Sequence, residues 1–452
     1  MQNILFFPVN AEEQFLRVSK NLSKVDPSIN SFYLLLVDTD IQGYEEYLTF
    51  DKLVENSEVV TDKEIYEFEL EHSFSFNDLI LKDKLFRDKN KENQRILYFK
   101  YLKSLALFIQ ENSIDTIVCS CISDGITYGT FKLAKSLNIP FLYPMVARVS
   151  EHLYLADSLL SGPVKLKKEG PSKSEIEKIV DDTFQNRIQP SYANFSYLMI
   201  KKGIRLSHLI TLFKLISLKF NRKSKNLAIS DGVMESIKNF FKRKFSFKEL
   251  KKVIAYSDIK DLKDTKFIYW PLHFHPEAGT IILGRWFHNQ YEILKSLSRV
   301  IPSDVKILVK EHRGSTGRRP LGFYNEIASL PGVEFVDHSI DTFDLILQSK
   351  GVAVITGTAG LEALALNQNV MTFGDVHYNQ ISSVIKAIDL SNLRNSVKLL
   401  IEGNGHDREE VISFFSDVLK DTQIVNNFEG PNISAECIEG FTNLLLSYKK
   451  HC

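Results

Sequence analysis

GVAVITGTAGLEALALNQNVMTFG, residues 351–374, holds a complete strand-helix-strand pattern. Val352 to Ile355 form an unalternated apolar run, the mark of a strand buried on both faces. The run breaks at Gly357 and Thr358, Gly360 follows, and a helix is predicted from near Ala359. NVMTFG (369–374) then reads as the next buried strand. A helix between two such strands makes a βαβ unit in a parallel sheet. Small residues at the first turn let a ligand approach the backbone, and the amides there attract phosphate. Gly357, Thr358 and Glu362 are therefore candidate ligand-binding residues. Glu362 would repel a phosphate it faced, and suits a ribose hydroxyl better. A capped helix packed tightly on its strand accounts for the same glycines. The stretch is neither a Walker sequence nor a G-x-G-x-x-G fingerprint.

The rhythm extends upstream. KFIYWPL (266–272), VKILVK (305–310) and VEFVD (333–337) read as strands, with helical stretches over 286–299 and 322–330. Two more polar clusters follow strands here. HFHPE places His275 and Glu277 in a loop. Two histidines at this spacing raise the question of a metal, but without further ligands none is expected. In ILVKEHRGSTGRR (307–319) the apolar run stops at Lys310, Glu311, His312 and Arg313, with Arg318 and Arg319 across a glycine-containing loop. Phosphate sites use this mixture, a point charge from lysine and paired donors from arginine, although any strand must end somewhere. One parallel sheet would bring all three clusters to its carboxyl edge, where open α/β sheets bind ligands.

With 452 residues the chain is too long for one core, so two domains are expected. ILFFPV (4–9), FYLLLVD (32–38), IDTIVCSCISD (114–124) and NIPFLYPMV (138–146) read as strands of a first α/β sheet, with helical stretches over 95–112 and 127–137. Asp124 stands at a strand end, where a turn and helix cap account for it about as well as catalysis does. Residues 161–190 are polar, marked by Pro and Gly, and read as a connection or an insertion. Residues 201–252 hold 15 Lys and Arg against Asp231, Glu235 and Glu249, interleaved with apolar residues. That pattern suits an anionic membrane surface, a polyanionic acceptor, or a packed helix pair with a solvated basic face, and less well RNA, since no RNA-binding motif accompanies it. Residues 434–450 read as a helix with a serine cap. Basic and acidic residues balance at 56 each, which argues against a general nucleic-acid binder. Four scattered cysteines suit a reducing compartment. MQNILFFPVN has no basic leader and no apolar run reaches bilayer length, so a cytoplasmic location is expected, with peripheral membrane contact through the basic segment.

Taken together, PLHFHPE (271–277), LVKEHRGSTGRR (308–319) and ITGTAGLEALALNQNVMTFG (355–374) resemble the capsular polysaccharide biosynthesis family, which includes transferases of the eight-carbon acid sugar Kdo. That family has a strand ending in Lys-Glu-His-Pro and a later Gly-Thr-x-x-x-Glu-Ala. Lys310, Glu311 and His312 match, with Arg313 where proline is usual; Gly357, Thr358, Glu362 and Ala363 match fully. Pro276 and Glu277 also match, while His275 replaces a frequent glutamine, and the likeness covers roughly 265–380.

The resemblance implies a GT-B fold, two Rossmann-like domains facing across a cleft. It places an acceptor domain over 1–190, a basic helical segment over 191–255, a donor domain over 256–430 and a returning helix over 431–452. It implies a glycosyltransferase with a CMP-linked donor, no metal, and a glycan or glycolipid acceptor. Lys310, Arg318 and the amides around Thr358 would neutralise phosphate, with His275, Glu277 and Glu362 around the sugar or ribose. His312, Glu311 and Asp124 are the candidate catalytic groups. The rival readings are a GT-B nucleotide-sugar epimerase, a CDP-linked polyol-phosphate transferase and a non-catalytic assembly protein.

Overall fold

The computed structural model describes residues 2–185, 242–250, 256–257 and 264–451, except 39–42, 44–45, 56–58, 87–89, 150–151, 161, 167–169, 244, 247–248, 316, 338–339 and 425–433. The chain forms two compact units, one of residues up to Glu169 with those from Lys420 onward, the other holding Gly170 to Gln185 and the residues between Val233 and Leu419. The greater part of the basic stretch 201–252, and the membrane contact expected of it, lies outside the described residues.

The first unit is built on β1 (Asn3–Phe7), β2 (Asn30–Leu35), β3 (Leu48–Thr49), β4 (Thr116–Cys119), β5 (Phe141–Val146) and β6 (His152–Ala156). Ile4, Leu5, Phe6 and Phe7 are all fully buried, which is why the run lacks alternation. Among its helices are α1 (Glu12–Val25), α2 (Lys91–Glu111) and α3 (Gly125–Ser136). The strands lie in the order β3-β2-β1-β4-β5-β6, parallel except that β6 runs antiparallel to β5.

The second unit repeats that plan. Its strands are β7 (Tyr256–Ser257), β8 (Lys266–Pro271), β9 (Val305–Lys310), β10 (Val333–Val336), β11 (Val352–Val354), β12 (Val370–Thr372) and β13 (Ile385–Lys386). The order β7-β10-β9-β8-β11-β12-β13 is parallel throughout, so β8 is the strand from which the chain winds first one way and then the other. Its helices include α4 (Lys173–Gln185), α5 (Gln290–Ser298), α6 (Leu321–Ala328), α7 (Thr342–Gln348), α8 (Thr358–Ala365), α9 (Leu393–Glu402) and α10 (Arg408–Leu419). Ile268, Trp270, Ile307, Val309, Ala353 and Met371 form the centre of one buried cluster between sheet and helices.

Helix α4 falls in the polar region read as a connection. Ile176, Val180 and Phe184 recur at helical spacing and are buried, and Phe184 packs on Phe415 of α10 at 6.2 Å between ring centroids. Arg408 of α10 also reaches Asp181 at 2.5 Å. The chain then returns to the first unit: β14 (Gln423–Ile424) pairs with β6, and α11 (Ala435–His451) packs on α1 through Phe15 and Phe441. Ser434 caps α11 by accepting the Cys437 N–H at 3.1 Å. The fold is thus α/β and GT-B-like in its pair of Rossmann-type sheets.

Candidate functional site

The order β11-β8-β9 sets the three polar clusters of the second unit on neighbouring strands. Pro271 pairs with Lys310 in register, and the Leu272 N–H donates to the Lys310 carbonyl at 2.8 Å. All three loops therefore leave the same carboxyl edge at the point where the winding reverses, the place such sheets bind ligands.

His273, the first residue past β8 and Leu272, ties the loops together. Its Nε2 accepts the Thr356 N–H at 3.2 Å, while Thr356 Oγ1 donates to the Gly279 carbonyl at 2.8 Å. Arg319 donates to the His273 carbonyl, and the His273 N–H donates to Gln290 Oε1 at 2.7 Å. An imidazole nitrogen that accepts a hydrogen bond carries no proton, so this ring is neutral with its proton on Nδ1. Burial, then the neighbouring His312 and Arg319, push its pKa down to about 3.

The loop after β9 divides its charged groups between holding and presenting. Glu311 is buried: its carboxylate accepts from Arg319 Nε at 3.0 Å, Tyr324 Oη at 2.5 Å and the His312 N–H at 2.6 Å. Burial raises its pKa even against the arginine. Its oxygens are engaged in fixing the loop. Lys310 is buried too, donating from Nζ to the Ile340 carbonyl at 2.6 Å and Thr342 Oγ1 at 2.8 Å. Burial, then Arg313, lower its pKa to about 8, against the opposing pull of Asp341 and Glu362.

His312 and Arg318 are exposed. His312 Nδ1 accepts the Gly314 N–H at 3.1 Å, so the neutral ring keeps its proton on Nε2 as a donor. Desolvation by the surrounding protein, then Arg319 and Arg313, bring its pKa to about 4. At neutral pH it can therefore offer a hydrogen bond to an oxyanion and has no extra proton to give. The Arg318 guanidinium lies over the Phe274 ring at 5.1 Å, and Phe274 meets His312 edge-on at 5.8 Å.

On the third strand, Gly357 is the N-cap of α8 and Thr358 is exposed at its first turn. Tyr378 Oη donates to the Gly357 carbonyl at 2.7 Å, which settles the cap from below. Glu362 is half-buried, with its charge felt by Tyr269, Lys310 and Tyr378.

In the first loop, His275 Nδ1 lies 3.0 Å from Thr280 Oγ1, and the exposed Glu277 precedes the short helix Ala278–Ile281. Asp124 belongs to the first unit and caps α3: Oδ1 accepts the Ile126 and Thr127 N–H groups at 3.0 Å, and Oδ2 accepts from Ser123 Oγ at 2.9 Å. Those bonds leave its carboxylate committed to the helix end. Among the described residues no group of three His, Cys, Asp or Glu could hold a metal ion.

Sequence reasoning quoted His273 and Arg319 but missed their work. Both sit in polar runs at strand ends, and nothing in those runs tells a side chain that joins loops from one that meets a ligand.

Residues 287–384, less than a quarter of the chain, match a family model described as capsule polysaccharide biosynthesis protein. Protein FixF of Sinorhizobium fredii is 28% identical over 140 residues, 29% of this chain and 32% of that relative, so the match spans about a third of the relative's length. Among solved structures, the Thermosulfurimonas dismutans KpsC β-Kdo 2,7 transferase is 11% identical, with 99% of this chain and all of that one covered, at a TM-score of 0.38. The Neisseria meningitidis UDP-GlcNAc 2-epimerase, bound to UDP-GlcNAc, is 13% identical over the whole of both chains, at a TM-score of 0.30. Anabaena Alr3699/HepE in complex with UDP-glucose is 12% identical, with 99% of this chain and all of that one covered, at 0.29.

Proposed function

We propose that the chain is an enzyme that handles a nucleotide-activated sugar, and that it transfers the sugar to a surface glycan or glycolipid. The observation that carries this reading is the convergence of the loops after β8, β9 and β11 on one sheet edge, tied through His273. The α8 amides at Thr358, the Nε2–H of His312 and the Arg318 guanidinium are suited to a phosphate. Cleaving the anomeric carbon–oxygen bond leaves negative charge on that phosphate, and preset donors stabilise it as it develops. Lys310, from its buried position, adds positive potential behind the loop. Glu277 and Glu362 are offered to sugar or ribose hydroxyls. The match to a capsule polysaccharide family over 287–384 supports a polymer acceptor and, with the sequence resemblance, a CMP-linked acid sugar such as Kdo as donor.

Isomerisation of the nucleotide sugar is the second reading. The same donors serve it, because an epimerase working by elimination breaks the same bond, and it is the activity named for the Neisseria structure. Polyol-phosphate transfer from a CDP-linked donor is a further alternative. Calorimetric binding of CMP, CDP, UDP and GDP, repeated with Thr358→Val, separates the donors: preference for CMP, weakened by the substitution, is expected. Incubation of UDP-GlcNAc with no acceptor then separates the chemistries, since its time-dependent conversion would overturn transfer in favour of epimerisation. Failure of any nucleotide to bind folded protein would remove the site reading altogether.

A further inference from the structure

A residue from the edge of the basic segment reaches the loop after β9. Arg243 Nη2 donates to the Gly314 carbonyl at 3.3 Å. Its own carbonyl oxygen lies only 2.3 Å from where a Cβ on residue 317 would begin. Gly317 also has φ of +71°, so glycine is needed there both for its backbone twist and for the close approach. Gly314 is packed the same way: a Cβ on it would stand 3.1 Å from His312 Nδ1 and 3.3 Å from Phe274 Cδ2. Arg318 lies over that same Phe274 ring. Arg243, His312 and Arg318 thus gather around Gly314 and Phe274. Burial, then the charge of Arg318, lower the Arg243 pKa to about 10, in keeping with two guanidiniums at one loop. Guanidiniums so grouped suit an oxyanion, which each can bind with paired donors.

We infer that Arg243, beside Arg318 and His312, forms an oxyanion subsite that takes an acidic group of the donor, either its phosphate or the carboxylate of an acid sugar. The inference rests on the reading of this sheet edge as a donor site. Arg243 touches the donor itself, and its loop contact sets the direction of its fork.

The test is calorimetric titration of the full chain with CMP, inorganic phosphate and free Kdo, using Arg243→Gln, Arg243→Lys and Arg318→Gln. Lys398→Gln, at an exposed residue of α9, controls for net charge. Arg243→Gln is expected to weaken CMP binding about tenfold or more, with partial recovery in Arg243→Lys and no change in Lys398→Gln. A phosphate source is indicated when CMP and inorganic phosphate both weaken, and a carboxylate source when only Kdo does; either supports the subsite. If CMP binds the wild type and all three ligands bind a well-folded Arg243→Gln unchanged, the subsite is overturned while the donor site stands. If CMP, UDP, CDP and GDP all fail to bind folded wild type, the donor reading fails and the subsite with it. Thermal melts of each variant separate lost binding from lost fold, and Arg318→Gln, at an exposed residue, gives the second reading if Arg243→Gln melts early.

Discussion

His273 Nε2 accepts the backbone N–H of Thr356 at 3.2 Å, joining the loop after β8 to the loop after β11. The bond fixes which nitrogen is bare and orients the start of α8, whose amides are the proposed phosphate donors. His273→Phe keeps a planar aromatic ring and removes the acceptor. It is expected to cost about 1–3 kcal/mol of stability, measured by urea unfolding, because the Thr356 N–H loses its partner. Nucleotide affinity should fall with it. A variant as stable as wild type would show that the bond holds nothing.

The same ring predicts a pH effect on stability. His273, at about 3, and His312, at about 4, refuse in the folded state the proton that the unfolded chain accepts near 6.5. Stability should be level in this respect above pH 6.5 and fall as pH drops from there toward 3. Unfolding midpoints between pH 7 and 4 check it, and the fall should be shallower in His273→Phe. An unchanged slope in that variant would assign the acid sensitivity to other groups.

Glu311 and Arg319 form a buried pair, and loss of either partner should act on the fold before it acts on chemistry. Arg319→Met leaves a buried carboxylate without its cation and is expected to cost about 3 kcal/mol or more. Glu311→Gln retains an acceptor for Tyr324 and should cost less. If Glu311→Gln instead abolishes turnover with its melting temperature unmoved, the carboxylate acts in catalysis.

Lys310 supplies a test with the opposite sign from the histidines. Its ammonium is charged below about pH 8, so nucleotide affinity should hold at pH 7 and decline as pH rises through 8. Lys310→Gln should bind more weakly at pH 7 and lack that decline. Stability runs the other way: the folded pKa lies below the ordinary value of 10.5, so the Lys310 contribution rises from pH 8 toward 10.5. Wild-type affinity that is flat from pH 7 to 9.5 would remove Lys310 from the ligand's field.

Gly360 tests the support beneath α8. A Cβ there would lie 2.5 Å from Tyr378 Oη, the group that holds the Gly357 carbonyl. Gly360→Ala should cost about 1–3 kcal/mol through overpacking. In a Tyr378→Phe background, which lacks the hydroxyl, the added cost should shrink, and the double-mutant cycle measures that coupling. Additive losses would mean that the two residues do not meet.

The sequence by itself determined the class of fold and the positions of most central strands. Buried parallel strands need apolar side chains on both faces, so runs such as Val305–Val309 and Val352–Ile355 declare themselves without any partner in view. It also marked the three polar loops, because ionisable residues directly after such runs are conspicuous. Helix α4 was equally written, in Ile176, Val180 and Phe184, but a polar surrounding masked its spacing.

Tertiary structure alone decided what each charged residue does. Lys310, Glu311, His312 and Arg313 are neighbours in the chain, yet the first two point into protein partners while His312 stays exposed. Asp124 likewise spends its oxygens on a helix end. Desolvation and hydrogen-bond partners set these roles, and both depend on residues dozens of positions away: Ile340 and Thr342 for Lys310, Thr356 for His273, Arg243 for Gly314. Periodicity reports which face of an element is buried; it carries no record of which distant group meets a side chain once the sheet has formed.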